Sequence, residues 1–132
     1  MLRFLIVFLF AGIFAFGQDP DTLLPHILQI ENDTEKVNQL YAIGFDLTDK
    51  DPQLALTYAQ HCERAAKRTN SLSHISKSYN LSGILFYKQG YFKKAAACFE
   101  KYLAANKTLQ NLLSVGFGFT NLGNSYLQLK EF

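Results

Sequence analysis

Three side chains with metal-binding chemistry fall close together in the chain: His61, Cys62 and His74. A zinc site needs three or four such ligands at short range, so this trio would have to meet across a turn. Cys62 sits in the apolar stripe of a helical pattern, where a small core residue is the better account, and no metal is expected. The sequence contains no Gly-rich phosphate cradle, His-Glu-x-x-His, Cys-x-x-Cys or Gly-x-Ser-x-Gly, so phosphate, zinc-hydrolase, thiol-redox and serine-hydrolase chemistry have no residues to rest on. The expectation is a non-catalytic protein without a cofactor.

The elements that carry these residues come after an unusual start. Phe4, Phe8, Phe10, Phe14 and Phe16 lie in one apolar run behind Arg3, and Ala15 and Gly17 are small. The run is short for a membrane span, which takes about 20 residues, and it has the layout of a secretory signal cut between Gly17 and Gln18. Residues 1–17 are therefore read as a cleavable signal peptide. Localisation is expected to be secreted or periplasmic, in the envelope of a Gram-negative bacterium, with no membrane span after cleavage. The 132 residues, 18% charged with a net charge of +2, allow one modest domain and argue against bulk nucleic-acid binding. Charge is unevenly spread: Gln18 to Gln60 holds two lysines against eight acids, and His61 to Phe132 holds ten basic residues against three acids. The second half could thus offer a basic face to an acidic partner, or the two halves could simply attract each other.

Past the leader the chain repeats itself. A shift of 40 residues superposes Ala55 on Ala95, Gly83 on Gly123, Tyr79 on Phe119, Phe86 on Tyr126 and Ser71 on Asn111, the kind of period that marks a repeat architecture. Within each unit the apolar residues recur at steps of three and four, as Ile75, Tyr79, Gly83 and Phe86 do, and then Phe92, Ala95, Phe99 and Tyr102, so each unit is a pair of helices. Asp51-Pro52 supplies an N-cap and a first-turn proline, Asn32 with Glu35 a capping box, and Gly90 a break between two helices. Gly83 and Ala95 leave room for helices to approach, with Tyr79, Phe86 and Phe99 beside them. Gly116 and Gly118 have no counterparts in this register. It also sets Cys98 opposite Tyr58 and Cys62 opposite Tyr102, a turn out of step, which disfavours a Cys62–Cys98 disulfide. The domain reading is a short capping helix within 18–32 and a repeat domain over 33–132, with units 33–70, 71–110 and an incomplete 111–132.

Tyr79-x-x-Ser82-Gly83-x-x-Phe86 followed by Ala95-x-x-x-Phe99, and Phe119-x-x-Leu122-Gly123-x-x-Tyr126, resemble the tetratricopeptide repeat in its long, bacterial exported form. Ala55, Tyr79, Gly83, Phe86, Ala95, Phe99, Leu122, Gly123 and Tyr126 are the positions that carry its packing signature. The sequence departs from the pattern where Ile43 stands for the glycine and Asp46 for the aromatic of the first unit. It departs again at Ser82, at Tyr102 and in lacking the closing proline. Phe132 would open the second helix of the last unit.

The resemblance implies an all-α fold of antiparallel hairpins stacked as a right-handed α-solenoid, whose first helices line a concave groove for a partner peptide or helix. By register the groove residues are Lys77, Asn80, Ile84, Tyr87 and Lys88 of the middle unit and Thr120, Asn124 and Gln128 of the last. The family's Lys/Asn carboxylate clamp is not reproduced. The function implied is a scaffold or adaptor that binds another protein. The alternative is the periplasmic sensing segment of a longer signal-transduction protein, a histidine kinase or transcriptional regulator. Phe117, Phe119, Leu122, Tyr126 and Leu129 give the last helix more apolar surface than a terminal cap needs, which predicts self-association.

Overall fold

The computed structural model describes residues 19–130. The signal-peptide reading of residues 1–17 and the reading of Phe132 lie outside the described residues. Among the described residues the fold is all-α, with six helices: α1 (Pro20–Leu28), α2 (Asp33–Lys50), α3 (Pro52–Arg68), α4 (Leu72–Lys88), α5 (Phe92–Thr108) and α6 (Leu112–Lys130). No described helix is long and apolar enough to cross a membrane.

Short side chains start all of these helices but α5 by taking up otherwise unpaired backbone N–H groups. Asn32 Oδ1 accepts from the N–H of Glu35 at 3.0 Å, Asp51 Oδ1 from Leu54 at 3.0 Å, Ser71 Oγ from His74 at 3.4 Å and Asn111 Oδ1 from Ser114 at 3.2 Å. Pro20 and Pro52 occupy first-turn positions, where the missing N–H costs nothing. Gly90, at φ +80°, ends α4, and the Tyr91 N–H returns to the Phe86 carbonyl at 2.9 Å, the closure of a left-handed cap. Asn70 and Gln110 take the same left-handed geometry, at φ 53° and 56°, after α3 and α5.

These one- to four-residue links make each helix pack on the next. Contacts join α2 to α3, α3 to α4, α4 to α5 and α5 to α6; α2 also touches α4, and α1 rests on α2. Leu23 and Ile27 of α1 enter one core with Val37, Leu40, Leu47, Ala55, Tyr58, Cys62, Leu81 and Leu85, and Leu24 and Ile30 pack at its edge. The Tyr58 hydroxyl donates to the Pro20 carbonyl at 2.7 Å, tying α1 to α3. Fully burying a side chain such as Leu40 or Val37 stabilises by about 1.5–3 kcal/mol.

The 40-residue spacing needs one correction. It holds from Ser71 to Asn111 and from Pro52 to Phe92, but Asn32 caps α2 only 39 residues before Ser71. The difference lies after the helix: α2, 18 residues long, is joined to α3 by Asp51 alone, whereas α4, 17 residues long, is followed by the three-residue link Gln89, Gly90 and Tyr91, so the first unit is one residue shorter. Gly44, rather than Ile43, is therefore the counterpart of Gly83, and Leu47 that of Phe86. A Cβ on Gly44 would stand 2.9 Å from Leu81 Cδ2 and 3.1 Å from Tyr58 Cβ, and one on Gly83 2.6 Å from Phe99 Cε1. Both glycines exist for close approach, with Phe99, not Ala95, the group seated on Gly83. Gly118 does have a packing role: its Cβ would meet Leu103 and Tyr102 at 3.2 and 3.3 Å. Its counterpart is Ser78, also buried.

Candidate functional site

Cys62 is fully buried, its thiol 3.9 Å from the Val37 carbonyl. Burial pushes its pKa from 9.0 to about 12, so it holds its proton and is no nucleophile. Cys98 is half-buried, and both thiols are free. The His74 ring faces the Thr69 hydroxyl at 3.3 Å and His61 faces Arg64 at 3.4 Å. Burial and that guanidinium lower the His61 pKa. No group of three or more His, Cys, Asp or Glu residues that could hold a metal ion occurs among the described residues.

The polar surface that the helices do assemble lies on α2, α4 and α6. Lys77 Nζ donates to Asn38 Oδ1 at 3.0 Å and stands 5.4 Å from the centre of the Tyr41 ring. Asn80 Nδ2 donates to the Tyr41 hydroxyl at 3.0 Å, and burial raises the Tyr41 pKa. Lys88 Nζ reaches Thr48 Oγ1 and Asp49 Oδ1, both at 2.9 Å. Each bond joins a groove position of α4 to its structural counterpart on α2, or to that residue's neighbour. The acidic and basic halves of the chain meet here: the lysines read as charge for a partner direct their donors onto α2.

Between α4 and α6 these residues enclose a pocket of about 150 Å³, lined by Ile84, Tyr87, Lys88, Phe99, Asn121 and Asn124. Small-molecule sites run to about 300–1,000 Å³, so this one has room for a single side chain. Tyr87 forms one wall, held edge-on against Phe92 at 5.4 Å. Gln128 lies apart, in a wider depression of about 530 Å³ with Gly90, Phe92, Lys93 and Leu129. Thr120 is exposed and its hydroxyl bonds the Gly116 carbonyl at 3.1 Å.

Of the eight predicted groove residues, the structure thus brings Ile84, Tyr87, Lys88 and Asn124 to one pocket and places Lys77 and Asn80 against α2. Sequence reasoning missed Asn121 and the α2 contribution: Asn38, Tyr41, Thr48, Asp49 and the exposed Phe45. A 40-residue shift from the α4 groove lands instead on Val37, Leu40, Gly44 and Leu47, all buried. Gly44 was the available signal, since aligning it with Gly83 recovers the right face. Among the signature positions, Ala55, Ala95, Phe99 and Gly83 are buried, Tyr79, Phe86 and Leu122 half-buried, and Gly123 and Tyr126 exposed.

Asn106, which opens the glycosylation-type triplet Asn106-Lys107-Thr108, is buried, its amide donating to Ser76 Oγ at 2.7 Å and the Tyr102 carbonyl at 2.8 Å, so a glycan has no place there. Compared with family models, with curated proteins and with solved structures, the chain matches none.

Proposed function

We propose that this chain is a non-catalytic interaction module of the tetratricopeptide type, exported to the cell envelope, that holds an extended peptide or helix of a partner protein along the α2–α4–α6 face. The helix order, the contact of α2 with α4 across the intervening helix, and the paired glycines Gly44 and Gly83 support a stack of hairpins. The observation that carries the reading is the pocket bounded by Ile84, Tyr87, Asn121 and Asn124. It offers apolar walls with amides at the rim, which suits one anchoring side chain and the backbone that bears it. Lys77 and Lys88 are already engaged by α2, so selectivity for acid comes from elsewhere. Lys93, Lys94, Lys101 and Lys107 are exposed on α5 and supply a basic surface for an acidic partner.

The test is panning a random peptide library on the immobilised chain, then measuring enriched peptides by calorimetry. Tyr87→Ala with Asn124→Ala is expected to weaken them about tenfold or more, or about 1.4 kcal/mol, with unchanged far-UV circular dichroism. Peptides that bind the double variant as well as the parent remove the groove assignment.

A further inference from the structure

The face of α6 that corresponds to the hairpin-forming face of α4 carries Leu112, Gly116, Phe119, Gly123, Tyr126 and Lys130, and all six residues are exposed. In α4 the matching face is closed by α5: the Phe99 ring sits on Gly83, and Asn106 bonds Ser76. On α6 nothing lies within 4 Å of a Cβ built at Gly116 or Gly123. The stripe therefore shows two empty glycine positions and two aromatic side chains, all on one side of one helix.

We propose that two copies of this chain pair through α6, antiparallel, about a two-fold axis that crosses the helix level with residue 121. That axis carries Phe119 onto Gly123 of the second copy, Tyr126 onto Gly116 and Leu112 onto Lys130. Each aromatic meets a glycine, as Phe99 meets Gly83 inside the molecule, and every contact occurs twice, as an isologous interface requires. Charge fits the same axis. Lys107 stands 5.0 Å above the Phe119 ring and Glu100 accepts from the Tyr126 hydroxyl; the antiparallel pairing brings Glu100 of each copy to within a helical turn of the level of Lys107 of the other. Lys130 is the only charged residue within α6, so no like charges confront each other at the centre. Leu112 is 83% exposed, Phe119 54%, Tyr126 48%, and Leu113 and Leu127 71% and 54%. Three large apolar side chains with two flanking leucines make a small interface, at the low end of the ~1,200–2,000 Å² of specific ones, as suits a weak pair.

Sedimentation of the full chain up to about 500 µM tests this, since an interface of that size supports a dimer in the micromolar range. A monomer–dimer equilibrium is expected, weakened about tenfold or more by Phe119→Glu and by Gly123→Leu, with helicity unchanged. Gly123→Ala is a milder second variant and shifts the equilibrium the same way. For the register, chains carrying Phe119→Cys are mixed with chains carrying Gly123→Cys, both with Cys98→Ser, and oxidised; the mixed disulfide is expected to predominate. A chain monomeric throughout overturns the proposal and leaves the face to a helix of another protein or to a further segment. Association that survives Gly123→Leu overturns it too, because it then runs through another surface, such as the apolar residues 4–16. Disulfides joining like positions contradict the antiparallel register.

Discussion

Helices α4 and α6 are spelled alike and packed differently. Gly83 lies under the Phe99 ring, with Tyr79 and Phe86 half-covered beside it, whereas Gly123 meets nothing and Phe119 and Tyr126 face outward. The same pattern thus acts as core where a second helix closes it and as open surface where none does. A repeat signature specifies a surface that must be covered, while the cover itself is supplied by a neighbouring element.

Substitutions can break or sharpen that contrast. The largest expected effect is at the closed face: Phe99→Ala should cost about 3–5 kcal/mol in urea unfolding, against less than about 1 kcal/mol for Phe119→Ala on the open one. Next comes the buried amide. Asn106→Ala strips Ser76 and the Tyr102 carbonyl of their donor and should cost about 1–3 kcal/mol by the same measurement; its exposed neighbour Lys107→Ala should stay within about 0.5 kcal/mol.

Alkaline titration follows. Burial raises the Cys62 pKa from 9.0 to about 12, and burial with Asp21 and Asp19 raises that of Tyr58 from 10.0 to about 12. A folded-state pKa above the unfolded one gives stability that is complete below the unfolded value and is lost as pH rises through the folded one. Stability should therefore hold to about pH 9 and fall between pH 9 and 12, and Cys62→Ala should flatten the first part of that fall in thermal melts. The smallest effect is at the Lys88–Asp49 pair, where the Asp49 side chain is 78% exposed and that of Lys88 35%. A double-mutant cycle should return about 1 kcal/mol or less and shrink further in high salt.

The helices were legible because their punctuation is local. Asn32, Asp51, Ser71 and Gly90 mark ends by their own chemistry, and the three-and-four spacing names the buried stripe. The α4 side of the pocket was legible for the same reason, because register alone sets Ile84, Tyr87 and Lys88 on one side. What escaped was relative placement. The one-residue link after α2, against three residues after α4, moved the face of α2 that stands beside α4 from Val37 and Leu40 to Asn38 and Tyr41, and a count of 40 could not see it. Gly118 was passed over because its partners, Leu103 and Tyr102, belong to the helix before it and not to its own unit. The use of Lys77 and Lys88 as ties to α2 was equally hidden, since a lysine's reach is set by what stands opposite.

The repeat register underlies the proposed groove, the open face and the proposed pairing alike, and two glycine-to-alanine substitutions test it most directly. Thermal unfolding of Gly83→Ala and Gly123→Ala is to be measured at a concentration where sedimentation shows monomer alone, so that pairing adds nothing to Tm. A methyl at Gly83 would meet Phe99 Cε1 at 2.6 Å, so overpacking of about 1–3 kcal/mol outweighs the ~0.5–1 kcal/mol that alanine adds to a helix, and Tm should fall. At Gly123 the methyl meets nothing and the helix gain stands alone, so Tm should rise. Two shifts of the same sign would contradict the account.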